Sequence, residues 1–232
     1  MLKIISFNTQ HCKNFLTNKI DIDRFAEFLK STDADVIGLN EMRGEGPRED
    51  YTDQTKALAD ALGYNYYFAK AFDVGGENPY GNAILTRHPI TDAKTVKIPD
   101  PENGQKFEPR CVLMAKIELP IGEYTFLVTH FGLSEVEQQN ASETVLKNIV
   151  SEKCVLMGDF NITPKNPIIA EISKRMYDTA KLFECEKFSF PSDAPNIKID
   201  YMFVSGDISV KTADIPAYVL SDHRPYIITI GE

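Results

Sequence analysis

Several short apolar segments of this sequence end in polar side chains of the types that bind hard cations and move protons. Asp159 and Asn161 end the segment VLMGDFN, which breaks at Thr163-Pro164. In an extended segment, residues two positions apart share one face, so this carboxylate and this amide would point together beyond the strand. The alternative is an ordinary strand-end turn in which Asp159 caps the following helix.

The same arrangement recurs along the chain, and the recurrence favours a functional site over a turn. One polar residue at a strand end is ordinary, because loops are polar. A set drawn from six separate segments is less ordinary, and its members are Asn8, Glu41, His130, Asp159, Asn161, Asp200, Asp222 and His223.

Carboxylate and amide oxygens in this set predict a divalent-metal site. Mg²⁺ takes one or two carboxylates together with neutral oxygens and several waters, which Glu41, Asp222 and Asn8 would supply. Such a cation polarises a phosphoryl oxygen and offsets the charge on a leaving oxygen.

The histidines of the set predict proton transfer and phosphate binding. Asp200 beside His223 would fix the imidazole tautomer and stabilise its protonated form, which makes His223 a candidate base. His130 and the amide of Asn161 would donate to a phosphoryl oxygen. Asp159 would orient the attacking water or share a second metal.

Three other kinds of site fit the sequence less well. Zinc prefers Cys and His ligands, and the sequence contains no HExxH or CxxC motif. Calcium takes more oxygen ligands, often in an EF-hand loop, which is absent. Acyl transfer by a Ser-His-Asp triad calls for a G-x-S-x-G elbow or an equivalent, which is also absent.

The elements between these residues indicate two sheets with helices outside them. Helical spacing of apolar residues predicts helices over Ile20–Lys30, Tyr51–Leu62, Ser134–Val150 and Ile168–Ala180. Apolar runs separated by turns such as Gly75–Gly81 predict strands, several of them antiparallel. Two packed β-sheets with helices on their outer faces would bury this pattern. The predicted strands are Lys3–Asn8, Asp35–Leu39, Tyr64–Ala69, Asn82–Thr86, Ala93–Ile98, Cys111–Leu119, Tyr124–His130, Val155–Asn161, Lys198–Val204, Ile208–Ala213 and Tyr226–Ile230.

Bulk composition favours one cytoplasmic domain. The 232 residues contain no Gly-, Ser- or Pro-rich linker, and candidate site residues lie at both ends, which predicts a single domain over 1–232. The net charge of −9 argues mildly against a protein that coats DNA. The four cysteines lack a pairing pattern, which fits a reducing compartment. No signal peptide or transmembrane segment is recognisable.

Seven stretches together resemble the endonuclease/exonuclease/phosphatase superfamily of metal-dependent phosphoesterases, in the order that is typical of that family. GDFN combined with a late SDH-x-P is the specific part of the pattern. The stretches are ISFN ending at Asn8, IGLNE ending at Glu41, GNAILTRHPI from Gly81, VTHFGLS around His130, MGDFN with Asp159 and Asn161, IDYMFVS with Asp200, and SDHRP with Asp222 and His223.

The resemblance implies a fold and a site. The fold is an α/β four-layer α/β/β/α sandwich of two packed mixed β-sheets flanked by helices, with the site in a cleft at the ends of both sheets. Mg²⁺ or Mn²⁺ would be held by Glu41, with Asn8 and Asp222 nearby. Arg110 and Asn82 are the expected substrate contacts. The implied catalytic residues are His223 paired with Asp200, and His130, Asp159 and Asn161 around the scissile phosphate.

The resemblance does not identify one substrate, because the groups within this superfamily act on different substrates. Abasic-site endonucleases typically carry Tyr-x-Pro-Asn where this chain has His130-Phe131-Gly132-Leu133. A histidine there is similar to sphingomyelinases, inositol polyphosphate phosphatases and pancreatic-type deoxyribonucleases. The chain contains no tryptophan and no hydrophobic hairpin typical of enzymes on bilayers. We therefore expect a phosphodiesterase or phosphatase for a phosphorylated small molecule or lipid headgroup, with a DNA or RNA nuclease as the alternative. A non-catalytic binding module is disfavoured because the base-and-metal set is intact.

Overall fold

The computed structural model describes residues 1–101 and 107–231. The helices in this part of the chain are α1 Ile22–Thr32, α2 Gln54–Leu62, α3 Glu135–Asn148 and α4 Pro167–Ser173, with a 3₁₀ turn at Thr179–Leu182. The strands are β1 Leu2–Asn8, β2 Lys13–Asn14, β3 Lys19–Ile20, β4 Val36–Arg43, β5 Asn65–Val74, β6 Asn78–Thr86, β7 Ile90–Lys97, β8 Cys111–Leu119, β9 Gly122–His130, β10 Cys154–Asp159, β11 Tyr177–Asp178, β12 Asp200–Val204, β13 Val210–Asp214 and β14 Tyr226–Ile230.

Two six-stranded sheets have closely similar plans. The first has the order β13-β14-β1-β4-β6-β5, and the second has the order β11-β12-β10-β9-β8-β7. The central pair of each sheet is parallel, β1 with β4 and β9 with β10, while the flanking pairs are antiparallel. Because parallel strands end at the same sheet edge, each central pair delivers two chain segments to one place.

Three apolar layers hold the elements together among the described residues. The layer between the sheets includes Ile4, Val128 and Met157. A second layer joins the first sheet to α1 and α2, and Phe7 and Phe25 stack there at 5.8 Å. The third joins the second sheet to α3 and α4. The structure thus confirms the predicted sandwich of two mixed sheets flanked by helices. Within the described residues, no helix is long and apolar enough to cross a membrane.

Local signals place α3 directly behind the cleft. The Ser134 hydroxyl accepts from the Glu137 N–H, and the Glu137 carboxylate accepts from the Ser134 N–H at 3.0 Å. This is the capping box that the sequence predicted. It starts α3 shortly after His130, which ends β9, and so limits the length of the connecting loop.

The predicted helix over Ile168–Ala180 is wrong in its second half. α4 ends at Ser173, Tyr177 pairs with Val204 of β12, and a 3₁₀ turn follows. The side chain of Asp178 accepts from the Ala180 N–H at 2.9 Å. Aspartate favours such a cap over a helix interior, so the apolar spacing continues where the helix does not.

The predicted turn over Gly75–Gly81 is shorter than expected. β6 begins at Asn78, so Gly81 lies within the strand. A Cβ on Gly81 would lie 2.0 Å from the carbonyl oxygen of Ala69 on β5. The glycine therefore permits close strand approach near a β-bulge instead of forming a turn.

Candidate active site

The ends of both central strand pairs meet at one cleft. Asn8 of β1 lies opposite Asn40 of β4, and Asp159 of β10 lies opposite His130 of β9. Asp200 opens β12 beside Asp159. The cleft has a volume of about 450 Å³, and seven of the predicted site residues line it: Glu41, Arg110, His130, Asp159, Asn161, Asp222 and His223.

His223 lies between two buried carboxylates. Its Nδ1 lies 2.8 Å from Oδ2 of Asp200, and its Nε2 lies 3.5 Å from Oδ2 of Asp159. Burial alone would lower the pKa of His223, but Asp200 and Asp159 outweigh burial and raise it to about 10. Burial raises the pKa of Asp159, while the charge of His223 opposes that rise. Nδ1–H is therefore held by Asp200, and Nε2 is the nitrogen left to exchange a proton.

Asn8 positions two of the carboxylates. Its Nδ2 donates to Oε1 of Glu41 and to Oδ2 of Asp159, both at 3.0 Å. Its Oδ1 accepts from the Gln10 N–H at 3.1 Å. In this structure the amide of Asn8 orients Glu41 and Asp159, and its expected place near the metal stays a prediction.

Glu41 and Asp222 provide oxygen donors that fit a hard cation. Burial raises the pKa of the Glu41 carboxyl, and the nearby Asp222 carboxylate raises it further. A buried carboxylate whose charge is opposed by a second carboxylate favours a bound cation, and carboxylate oxygens suit Mg²⁺ or Mn²⁺. Asp159, Asp200 and His223 also lie close together. In that group of three residues, however, the imidazole of His223 already supplies the positive charge that balances the carboxylates.

The backbone around these residues adopts the left-handed region, which residues other than glycine rarely occupy. Gln10, His11 and Cys12 have φ of 47°, 54° and 55°, and Glu41 has φ of 59°. The Glu41 carbonyl accepts from the His11 N–H at 2.9 Å. This contact ties the loop after β1 to the end of β4 and fixes where the Glu41 side chain enters the cleft.

Asn161 reaches the site through a turn and not through an extended strand. β10 ends at Asp159, and Asn161 has φ of 50°. Oδ1 of Asp159 accepts from the Asn161 N–H at 2.9 Å. The expected shared extended face is therefore wrong. Asp159 makes a strand-end turn as well as facing the cleft, and the following helix α4 is capped by Asn166.

His130 contacts three polar groups. Its Nδ1 lies 2.9 Å from Nη1 of Arg110, and its Nε2 lies 3.1 Å from Nδ2 of Asn161 and 3.5 Å from Oδ2 of Asp159. Burial lowers the pKa of His130 well below its usual value, and the charges of Arg110 and His223 lower it further. His130 is therefore neutral. Nη2 of Arg110 lies 3.0 Å from a carboxylate oxygen of Glu108.

Asn82 lies beneath the cleft. Its side chain is buried, its Nδ2 donates to the Cys111 carbonyl at 3.0 Å, and its Oδ1 accepts from Asn40 at 2.9 Å. These contacts use both ends of the amide within the protein. The structure thus places Asn82 in a supporting position, and the expected substrate contact stays a prediction.

Asn40 is a residue that the sequence reasoning missed. Its Nδ2 also donates to the Thr129 carbonyl at 2.9 Å, and its Oδ1 accepts from the Asp159 N–H at 3.0 Å. This buried amide joins the two sheets directly below the site. Its place after an apolar strand, one residue before Glu41, is the signal that could have identified it.

One flank of the cleft is aromatic and apolar, which no motif in the sequence indicated directly. Phe72 and Tyr80 pack edge to face at 5.5 Å, and Tyr51 and Val74 line the same region. Burial raises the pKa of Tyr80, and the Glu41 carboxylate raises it further. Its hydroxyl is therefore a neutral group beside the acidic part of the cleft.

A family model described as the endonuclease/exonuclease/phosphatase family matches residues 5–223, and the chain belongs to this family. No curated protein matches the sequence significantly. Members of the family hydrolyse phosphoesters, so the chain has the fold and family of a phosphoesterase.

Solved structures share the fold at low sequence identity. An endonuclease/exonuclease/phosphatase from Beutenbergia cavernae has 21% identity and a TM-score of 0.84, covering 98% of this chain and 70% of that one. A mannosyl-6-phosphatase from Bacteroides thetaiotaomicron has 18% identity and a TM-score of 0.80, covering 100% of both chains. The human Nocturnin catalytic domain with bound sulfate has 16% identity and a TM-score of 0.76, covering 99% of this chain and 93% of that one.

Proposed function

We propose that this protein is a divalent-metal-dependent hydrolase of phosphoester bonds, a phosphodiesterase or phosphatase that acts on a small or lipid-derived phosphate by in-line attack of an activated water. The observation that carries the proposal is the position of His223. Its Nδ1 is held by Asp200 at 2.8 Å, and its Nε2 faces Asp159 in the cleft. An imidazole oriented by a carboxylate beside acidic metal ligands is suited to proton transfer from water.

Glu41 and Asp222 would hold Mg²⁺ or Mn²⁺, which when bound would stabilise charge on the phosphoryl and leaving oxygens. His223 accepts the proton of the attacking water at Nε2. The Asp200 carboxylate accepts a hydrogen bond from Nδ1 and so keeps the ring's other proton there. Asp159, held by Asn8, orients that water. Burial opposes the raised pKa of His223, Asp200 and Asp159 are its main causes, and Asp222 adds to it, so a cation held by Asp222 would lower that pKa.

His130 and Asn161 bind a phosphoryl oxygen in this proposal. Both offer N–H groups on the side of the cleft that faces Asp159. A neutral histidine donates a hydrogen bond without taking part in the proton transfer, so the two histidines have separate tasks.

The shape of the cleft supports a small substrate. A volume of about 450 Å³ is within the usual range for small-molecule sites. The aromatic flank at Phe72 and Tyr80 would pack against the leaving group next to the phosphate. The mannosyl-6-phosphatase and the sulfate-bound Nocturnin domain are consistent with a phosphate-sized anion in this fold. The net charge of −9 further disfavours a nucleic-acid polymer as substrate.

Hydrolysis of three substrates tests the proposal. We would assay p-nitrophenyl phosphate, bis-p-nitrophenyl phosphate and an abasic-site DNA duplex with Mg²⁺, Mn²⁺ or EDTA. The expected result is metal-dependent cleavage of a small ester with DNA left intact, and the preferred ester distinguishes phosphatase from phosphodiesterase. Efficient DNA incision with slow ester cleavage would overturn the small-substrate proposal in favour of a nuclease. Ester cleavage that persists in EDTA would overturn the metal dependence.

A further inference from the structure

Two side-chain N–H donors lie next to the ring nitrogens of His130, and the neutral ring carries one N–H of its own. Nη1 of Arg110 lies 2.9 Å from Nδ1, and Nδ2 of Asn161 lies 3.1 Å from Nε2. A guanidinium group has donors only and stays protonated in proteins, so Nδ1 beside Arg110 must accept. The ring proton then belongs on Nε2.

The orientation of Asn161 leaves Nε2–H facing a second donor. Nδ2 of Asn161 donates to the Phe131 carbonyl at 3.0 Å, which fixes the amide with its nitrogen towards His130. Two N–H groups therefore converge without an acceptor directly between them, and Oδ2 of Asp159 is 3.5 Å from Nε2. An anionic oxygen that entered between them would satisfy both donors.

We propose that Arg110 is a positioning residue that locks His130 in the Nε2–H tautomer, so that His130 and Asn161 form a two-donor cradle for one phosphoryl oxygen, and that Glu108 in turn orients Arg110. The role in binding phosphate rests on the proposed function, but the tautomer is a property of the protein without substrate. Arg110 then acts on the substrate through His130, in place of the direct contact that its charge suggests.

The charged groups around His130 support a ring that stays neutral. Arg110 approaches from the segment before β8, His223 from the loop before β14, and Asp159 from the end of β10. The Asp159 carboxylate, 3.5 Å from Nε2, favours an added proton, whereas burial, Arg110 and His223 oppose one. A proton added to Nδ1 would point at a guanidinium hydrogen of Arg110, and the two hydrogens would repel each other.

The test is nitrogen NMR of the histidine rings in the metal-free protein without substrate, with His130 assigned by loss of its signals in His130→Gln. We expect protonated Nε2 and unprotonated Nδ1, unchanged between about pH 5 and pH 8, where an ordinary histidine titrates. In Arg110→Met, the ring should begin to titrate or populate the Nδ1–H form. Arg110→Lys keeps a cationic donor and should keep the wild-type pattern. Arg87→Met, which removes an arginine that pairs with Asp33, is the control.

A protonated Nδ1 in the wild-type protein would overturn the proposal without any need for a variant. An unchanged ring in folded Arg110→Met would do the same. Turnover distinguishes this from failure of the proposed function. If a small ester is hydrolysed, Arg110→Met should lower kcat by up to about 10²–10³-fold, the effect of losing one such donor, and should add an ionisation to its pH profile. If no ester is hydrolysed, the NMR result still decides the tautomer.

Discussion

The surroundings of the two site histidines shift their pKa values in opposite directions. Carboxylates flank His223 and raise its pKa to about 10, whereas burial, Arg110 and a second positive charge lower the pKa of His130. At the scale of single residues, the proposed function therefore assigns proton transfer to His223 and only a hydrogen-bond donation to His130. The polar set along the sequence indicated both histidines, but Arg110 as the partner of His130 depends on contacts between distant segments.

The raised pKa of His223 predicts how folding stability depends on pH in EDTA. Its pKa of about 10 in the folded protein lies above the ordinary histidine pKa of 6.5. The stabilisation is therefore full below about pH 6.5 and is lost as pH rises through about 10. Lys198 has the opposite sign, because burial lowers its pKa from 10.5 to about 8. The unfolding free energy of the wild type minus that of His223→Gln should therefore fall from pH 6.5 to pH 10. A difference that does not change with pH would contradict these assignments.

At the scale of elements, the site depends on four strand ends held at fixed distances. Asn40 joins β4 to β9 and β10 through its buried amide. The local sequence pattern predicted the strands themselves, because strands such as β1 and β10 are buried on both faces and read as apolar runs between turns, and it predicted the α3 cap from adjacent residues. It could not predict the amide that joins the sheets, because the partners of Asn40 lie far along the chain. The second half of the predicted fourth helix is wrong for a related reason, because pairing of Tyr177 with β12 outweighed the local spacing of apolar residues.

Replacing Asn40 with alanine should destabilise the protein. Each buried polar group left without a partner costs about 1–3 kcal/mol. Asn40→Ala removes the hydrogen-bond partner of the Asp159 N–H and of the Thr129 carbonyl. We expect a loss of at least about 2 kcal/mol, measured by urea unfolding. Asn65→Ala is the matched control, because Asn65 is exposed and its amide donates to the His88 carbonyl at the surface. Equal losses in the two variants would contradict the proposed role of Asn40.

Gly158 in the GDFN stretch tests how closely β10 must approach β9. Its φ is 141°, and a Cβ there would lie 1.9 Å from the Thr129 carbonyl oxygen. Gly158→Ala should therefore destabilise by more than about 1 kcal/mol and displace Asp159. Gly206→Ala, where no atom lies within 4 Å of the added Cβ, should be close to neutral. Thermal unfolding of both variants measures the difference, and similar midpoints would refute the close-approach argument.

At the scale of the whole molecule, two similarly ordered sheets bring acidic residues from both halves of the chain into one cleft. Glu41 comes from the first sheet, and Asp222 comes from the loop that leads back to it. The resemblance in the sequence identified this set across almost the whole chain. The aromatic flank and the Glu108–Arg110 pair lie outside the stretches that carry the resemblance, and they emerge from the contacts of the folded chain.

A bound cation should stabilise the whole fold if Glu41 and Asp222 hold it. A ligand at 100 times its dissociation constant stabilises by about 2.7 kcal/mol, so excess Mg²⁺ should raise the melting temperature relative to EDTA. Glu41→Gln should remove most of that rise. Glu45→Gln, an exposed site four residues away, should retain it. A rise of the same size in Glu41→Gln would place the cation elsewhere.

The most direct test of the central claim is the turnover of p-nitrophenyl phosphate and its diester by wild-type protein and His223→Ala, both with Mg²⁺ and both shown to be folded by circular dichroism. If His223 is the base, the variant should lose about 10²–10⁴-fold in kcat, the usual contribution of a positioned acid or base. Near-normal turnover by folded His223→Ala would contradict the account.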